Sequence, residues 1–113
     1  MKNSVLYQPV QKITIKSSDN LLAFRFVGFG GSHCTAGSKS LGVTERKFPA
    51  NKSASVVTIG TVPVEAVGAI SVGDNLASDS QGRAVVATSG AAVNARALES
   101  TENGGIIKVM LVP

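Results

Sequence analysis

The chain has 113 residues, enough for one domain with a single modest core. Apolar residues make up 43% but aromatics only 4%, with no Trp, so a core must come from Val, Ala, Ile and Leu. No apolar run is long enough to span a bilayer, no signal-peptide hydrophobic region follows Lys2, and the lone Cys34 excludes an internal disulfide. The expectation is a soluble protein, made in a cytoplasm, with no membrane partner. The net charge of +4 is uneven: residues 1–60 hold eight basic and two acidic side chains, residues 61–113 three basic and five acidic. A basic half attracts nucleic acid or an acidic protein surface, although an unevenly charged, solvated surface is the blander reading.

Residues 1–20 read as an extended N-terminal arm. Ile13 and Ile15 alternate with Lys12, Thr14 and Lys16, a strand with one wet face. Ser17-Ser18-Asp19-Asn20 is a turn cluster. Leu22, Phe24 and Phe26 then alternate with Ala23, Arg25 and Val27, predicting a strand that ends at Gly28 and turns both phenylalanines to the core. After the Gly28-Phe29-Gly30-Gly31-Ser32 turn come a short strand around Leu41 and Val43 and a β-branched strand from Ser55 to Val62. Pro63 requires that strand to end, bulge or lie on an edge.

Val72 to Ala87 is the most patterned stretch: a short strand, a Gly73-Asp74 turn, a second strand, a Ser80-Gln81-Gly82 turn and a third strand. A strand near Asn94–Glu99 follows, then a turn at Glu102-Asn103-Gly104-Gly105. The last strand, Ile106 to Val112, places Ile107, Val109 and Leu111 on its core face. Residues 89–97 are alanine-rich, but Gly90 and Val93 weaken a helix, so at most one short helix is expected. A faint repeat relates Phe26–Ile59 to Leu76–Leu111 in order and approximate spacing. The predicted fold is mainly β: a small barrel or sandwich of two related β units over residues 21–113, preceded by the 1–20 arm.

No residues form a recognisable reactive centre. His33 and Cys34, the sole imidazole and thiol, are neighbours whose side chains point to opposite faces of a strand, a poor arrangement for one metal ion or a nucleophile–base pair. There is no Gly-x-Ser-x-Gly elbow. Asp74 and Asp79 sit in turns, where Asp bonds its own backbone. The Gly28-x-Gly30-Gly31 run lacks the Lys and the following helix of a phosphate loop. No catalytic residue, metal ligand or cofactor is assigned.

The order of several segments resembles the tailed-phage capsid cement, or head decoration, family. The matching pieces are Arg25-Phe26-Val27-Gly28-Phe29-Gly30-Gly31, Leu41-Gly42-Val43, Val56-Val57-Thr58-Ile59-Gly60 and Val64 to Asp74. Leu76-Ala77-Ser78-Asp79-Ser80-Gln81-Gly82-Arg83-Ala84-Val85, Arg96-Ala97-Leu98-Glu99 and Gly105 to Leu111 complete the set. The resemblance implies a non-enzymatic homotrimer on the outer surface of an icosahedral head, clamping major capsid protein subunits. On that reading the arm residues Val5, Leu6, Tyr7, Val10, Ile13 and Ile15 form a partner interface, added as a strand to a neighbour or folded back on their own barrel. The alternatives from other classes are a nucleic-acid-binding barrel using the basic half and a ligand-binding or enzymatic barrel with an apolar pocket.

Overall fold

Strand-forming Val, Ile and Thr segments and Gly-rich turns build a structure without helices among the described residues, 6–113, in the computed structural model. Eight strands run in the order β1 (Pro9–Lys16), β2 (Phe26–Val27), β3 (Gly42–Thr44), β4 (Ser53–Ala66), β5 (Asn75–Ser78), β6 (Ala84–Val86), β7 (Ala95–Ala97) and β8 (Gly105–Leu111). The second half of β4 pairs with β8 and touches β6, and the order β4-β6-β5-β7-β8 closes on itself. This closed five-stranded barrel leaves none of its members with a free edge inside the ring. The first half of β4 leaves the barrel and carries β1 on one side and β3 on the other, with β2 beyond β3.

The barrel interior is narrow, and the sequence fills it with small and β-branched side chains. Ala66, Ala84, Ala95 and Ala97 are buried beside Val62, Val64, Leu76, Ile107, Val109 and Leu111, with Phe26 as the one fully buried aromatic of this cluster. Each fully buried Val, Leu or Ile contributes roughly 1.5–3 kcal/mol relative to exposure. A smaller cluster of Leu21, Val27, Phe48 and Ala54 lies outside the barrel, and Ile15 of β1 packs against it.

The two related units are real, and backbone hydrogen bonding defines their correspondence. In the first, Leu21 and Phe48 exchange bonds of 2.8 and 2.9 Å; in the second, Ile70 and Thr101 do the same at 2.8 and 2.9 Å. Phe24 N–H donates to Thr44 O as Gly73 N–H does to Ala97 O, both at 2.8 Å. The meander β2-β3-β4 repeats as β5-β7-β8, with Val43 opposite Val57 where the second unit has Arg96 opposite Met110. Backbones with positive φ coincide as well: Phe24 with Gly73, Gly31 with Gly82, Gly37 with Gly90, Asn51 with Gly104. These pairings place Leu76 opposite Val27 rather than Phe26, so the alignment suggested by sequence order shifts by one or two residues.

Two segments differ from the sequence expectation. The strand expected from Leu22 to Val27 shrinks to Phe26–Val27, because Phe24 sits at φ 59° and turns the chain, leaving Leu22 exposed and Phe24 half-buried. Strand β4 runs straight through Pro63 to Ala66. The flanking N–H groups explain this: Thr61 N–H donates to Gln8 O and Glu65 N–H to Phe24 O, both away from β8. The imide nitrogen of Pro63 shares that side, so β8 loses no ladder bond.

Candidate interaction surface

Val5 lies outside the described residues, and the remaining arm residues divide between inside and outside. Tyr7 packs against the barrel core and its hydroxyl donates to Glu45 Oε2 at 2.7 Å. Lys12 Nζ reaches Glu45 Oε1 at 2.7 Å, so one carboxylate ties two points of the arm to the end of β3. The bond to Glu45, then burial, raises the Tyr7 pKa. Burial pushes Glu45 upward, but the bonds from Lys12 and Tyr7 outweigh it and hold the carboxyl below its usual value.

Ile13 and Ile15 pair with Val56 and Ala54 of β4 and are half-buried. Leu6 and Val10 point outward, at 74% and 73% exposure. The arm strand therefore lies on β4 of its own chain, and its opposite edge carries no strand among the described residues. Leu6 lines a shallow groove of about 430 Å³ together with Tyr7, Gln8, Thr61, Leu98 and Lys108, and Lys108 Nζ donates to Leu6 O at 3.3 Å.

His33, Cys34, Asp74 and Asp79 are engaged in bonds that hold turns and loops of the scaffold. His33 Nε2 accepts from the Leu22 N–H at 3.0 Å, and burial, then the Arg25 charge, lowers its pKa. Cys34 is buried, its thiol donating to Ser38 O at 3.3 Å, and burial pushes its pKa up. Asp74 Oδ2 accepts from Ser71 N–H at 2.9 Å. Asp79 accepts from the backbone of Gln81 and Arg83 and from Arg83 Nε at 2.8–2.9 Å. Burial raises the Asp79 pKa, but these bonds prevail and lower it. Among the described residues no group of three or more His, Cys, Asp or Glu could hold a metal ion, and no helix is long and apolar enough to cross a membrane.

Two residues gain meaning only in the structure. Arg25, expected to face away from Phe24 and Phe26, is buried: its guanidinium donates to Glu65 and to Gln81 O, both at 3.1 Å. It thus links the first unit to the end of β4 and to the β5–β6 turn. Phe29 is the opposite case, an aromatic 71% exposed at the tip of a glycine hairpin. A signal for it exists in the sequence once the units are aligned, since its counterpart is the polar Ser80.

The architecture is a small closed barrel with a strand-bearing extension. The chain belongs to the phage cement protein family, which it matches over residues 7–112. Its fold is shared with the crystal structure of the N base of head fiber gp8.5 in bacteriophage phi29. The TM-score is 0.75 at 20% identity, over 90% of this chain and 93% of that one. No curated protein sequence matches the chain.

Proposed function

We propose that this phage head protein is a non-enzymatic decoration protein that binds the outer surface of the icosahedral head and stabilises contacts between major capsid subunits. The observation that carries the reading is the family match over nearly the whole chain. The protein acts as a homotrimer made in the host cytoplasm and added to the shell, so that several modest contacts sum by avidity. The arm (residues 1–20) and the body (21–113) divide the work. Tyr7, Ile13 and Ile15 hold the arm on its own body, while Val5, Leu6 and Val10, with the edge of β1 that pairs with no strand among the described residues, meet a neighbouring subunit.

The charge distribution favours this reading over nucleic-acid binding. Within the basic half, Lys12 is neutralised by Glu45 and Arg25 is buried against Glu65. Lys39 Nζ is held by the carbonyls of Val93 and Val112, and Arg46 lies 5.2 Å over the Phe48 ring. Fewer cations remain free than composition suggests, and electrostatic binding scales with the number that reach phosphates. The test is to mix purified protein with expanded, empty capsid shells and image them by electron microscopy. Ordered added density at symmetry-related positions is expected. Absence of binding to any shell, with salt-sensitive retention on heparin, would overturn the reading in favour of nucleic acid.

A further inference from the structure

The hairpin between β2 and His33 and the hairpin between β5 and β6 are the same turn built twice. Gly28 N–H donates to Ser32 O and Asp79 N–H to Arg83 O, both at 2.8 Å. Gly31 N–H donates to Gly28 O at 3.2 Å, and Gly82 N–H to Asp79 O at 3.3 Å. The second turn is polar and closed on itself: Asp79 caps it, and Ser80 and Gln81 form the tip. The first replaces Ser80 with Phe29 and flanks it with Gly28 and Gly30, which carry no side chain to shield the ring. The fold therefore does not require an aromatic at this tip.

The tip is also held in place. Ser18 N–H donates to Gly31 O at 3.0 Å, and a Cβ on Gly31 would stand 2.6 Å from Lys16 O, so the hairpin lies directly against the end of β1. Ser17 N–H in turn donates to Lys52 O at 2.9 Å, and Asn51 N–H to Ser17 O at 2.8 Å. These contacts gather residues 16–18, 28–32 and 51–52 at one end of the molecule. Lys16 and Lys52 are exposed there, with Asp19 nearby, and the position equivalent to Lys52 in the second unit is Gly105. The braced backbone loses little freedom on binding, so the cost of burying the large ring is confined to its own two side-chain torsions, the physical profile of an interface anchor.

We propose that Phe29 is the anchor by which this protein docks on the shell, inserting into an apolar pocket of a major capsid subunit whose rim is acidic and faces Lys16 and Lys52. The inference rests on the capsid-decoration reading and assigns its contact residue. The experiment compares wild type, Phe29→Ser, Lys16→Glu/Lys52→Glu and Ser80→Phe for co-sedimentation with expanded shells, alongside thermal midpoint and solution mass. The expected result is binding weakened by about 30-fold or more for Phe29→Ser at unchanged midpoint and mass. The double charge reversal weakens binding and flattens its salt dependence, and Ser80→Phe leaves it unchanged. Equal binding by wild type and Phe29→Ser overturns the inference while the decoration reading stands. A changed solution mass for Phe29→Ser overturns it too, by placing the ring between copies of this chain. Failure of wild type to bind any shell overturns the reading itself and this inference with it.

Discussion

The two units of this barrel share a backbone and differ in what each face must do. In the first, Phe26, Val43 and Val57 are buried in the barrel cluster, while the reverse face is covered by Ile15 of the arm. In the second, the equivalent Asn75, Arg96 and Met110 are open to solvent, and the inward face is the buried one. The same hydrogen-bond pattern thus supports a strand set buried on both sides and one buried on one side. Backbone register is what the two units share, and side-chain polarity is set separately by what covers each face.

Matched positions in the two units tolerate change unequally, and the largest difference is between Gly42 and its counterpart Ala95. A Cβ on Gly42 would overlap the Val57 carbonyl, whereas Ala95 already carries one in a fully buried place. Gly42→Ala is expected to cost about 3 kcal/mol or more, since backbone must move. The reverse change, Ala95→Gly, costs about 1 kcal/mol. Urea unfolding of the two variants checks this; equal losses would show that β3 and β7 do not pack differently.

The matched hairpins come next. Asp79→Ala removes the acceptor for three bonds and should cost about 1–3 kcal/mol. Because the folded pKa of Asp79 is lowered, its contribution is complete above the ordinary carboxylate range and lost as pH falls through the folded value. Denaturant midpoints followed below pH 4 should therefore fall less steeply in Asp79→Asn than in wild type. The first unit has no acid at the matching position, Gly28, so Gly28→Ala should leave the acid limb as it is.

His33 supplies a pH effect confined to the first unit. Its Nε2 is an acceptor, which only the neutral ring provides, and its pKa is lowered from the ordinary 6.5. Stability from this bond is complete above pH 6.5 and disappears as pH drops through the folded value. The loss should be about 1 kcal/mol, the worth of one hydrogen bond. Comparing unfolding at pH 7.5 and 5.5 should show it in wild type and not in His33→Gln. The smallest effect belongs to Asn51, at φ 62° where the second unit has Gly104. Asn tolerates this region, so Asn51→Gly should change stability by no more than about 0.5 kcal/mol, a shift readable in the thermal midpoint.

Much of this architecture is legible in the chain, and what is hidden is hidden for physical reasons. Alternation at Ile107, Val109 and Leu111 finds the core face of β8, and Ser80-Gln81-Gly82 marks the β5–β6 turn, because both signals are local. The strand expected through Leu22 and Phe24 fails because a left-handed residue breaks a pattern that hydrophobic period alone reports as continuous. In the sequence Pro63 marks only an end, bulge or edge of β4; which side its nitrogen faces depends on Gln8 and Phe24, far away in sequence. Arg25 looks like surface until Glu65 and Gln81, forty and more residues on, close around it. For the arm, the alternation of Ile13 and Ile15 locates a strand without saying whose sheet receives it.

Strand β4 has a consequence for how the molecule is made. Its first half completes the first unit and its second half is a wall of the barrel, paired from Thr61 to Ala66 with Met110 to Gly105. Those partners are separated by some forty residues, so the closing pairings are costly in loop entropy and late. A chain emerging from the ribosome therefore carries half of β4 as a bare edge until residues 105–111 exist. During that interval the growing chain is open to pairing with another copy of itself. Each subunit's protection against misassembly is thus acquired only when β8 pairs with β4.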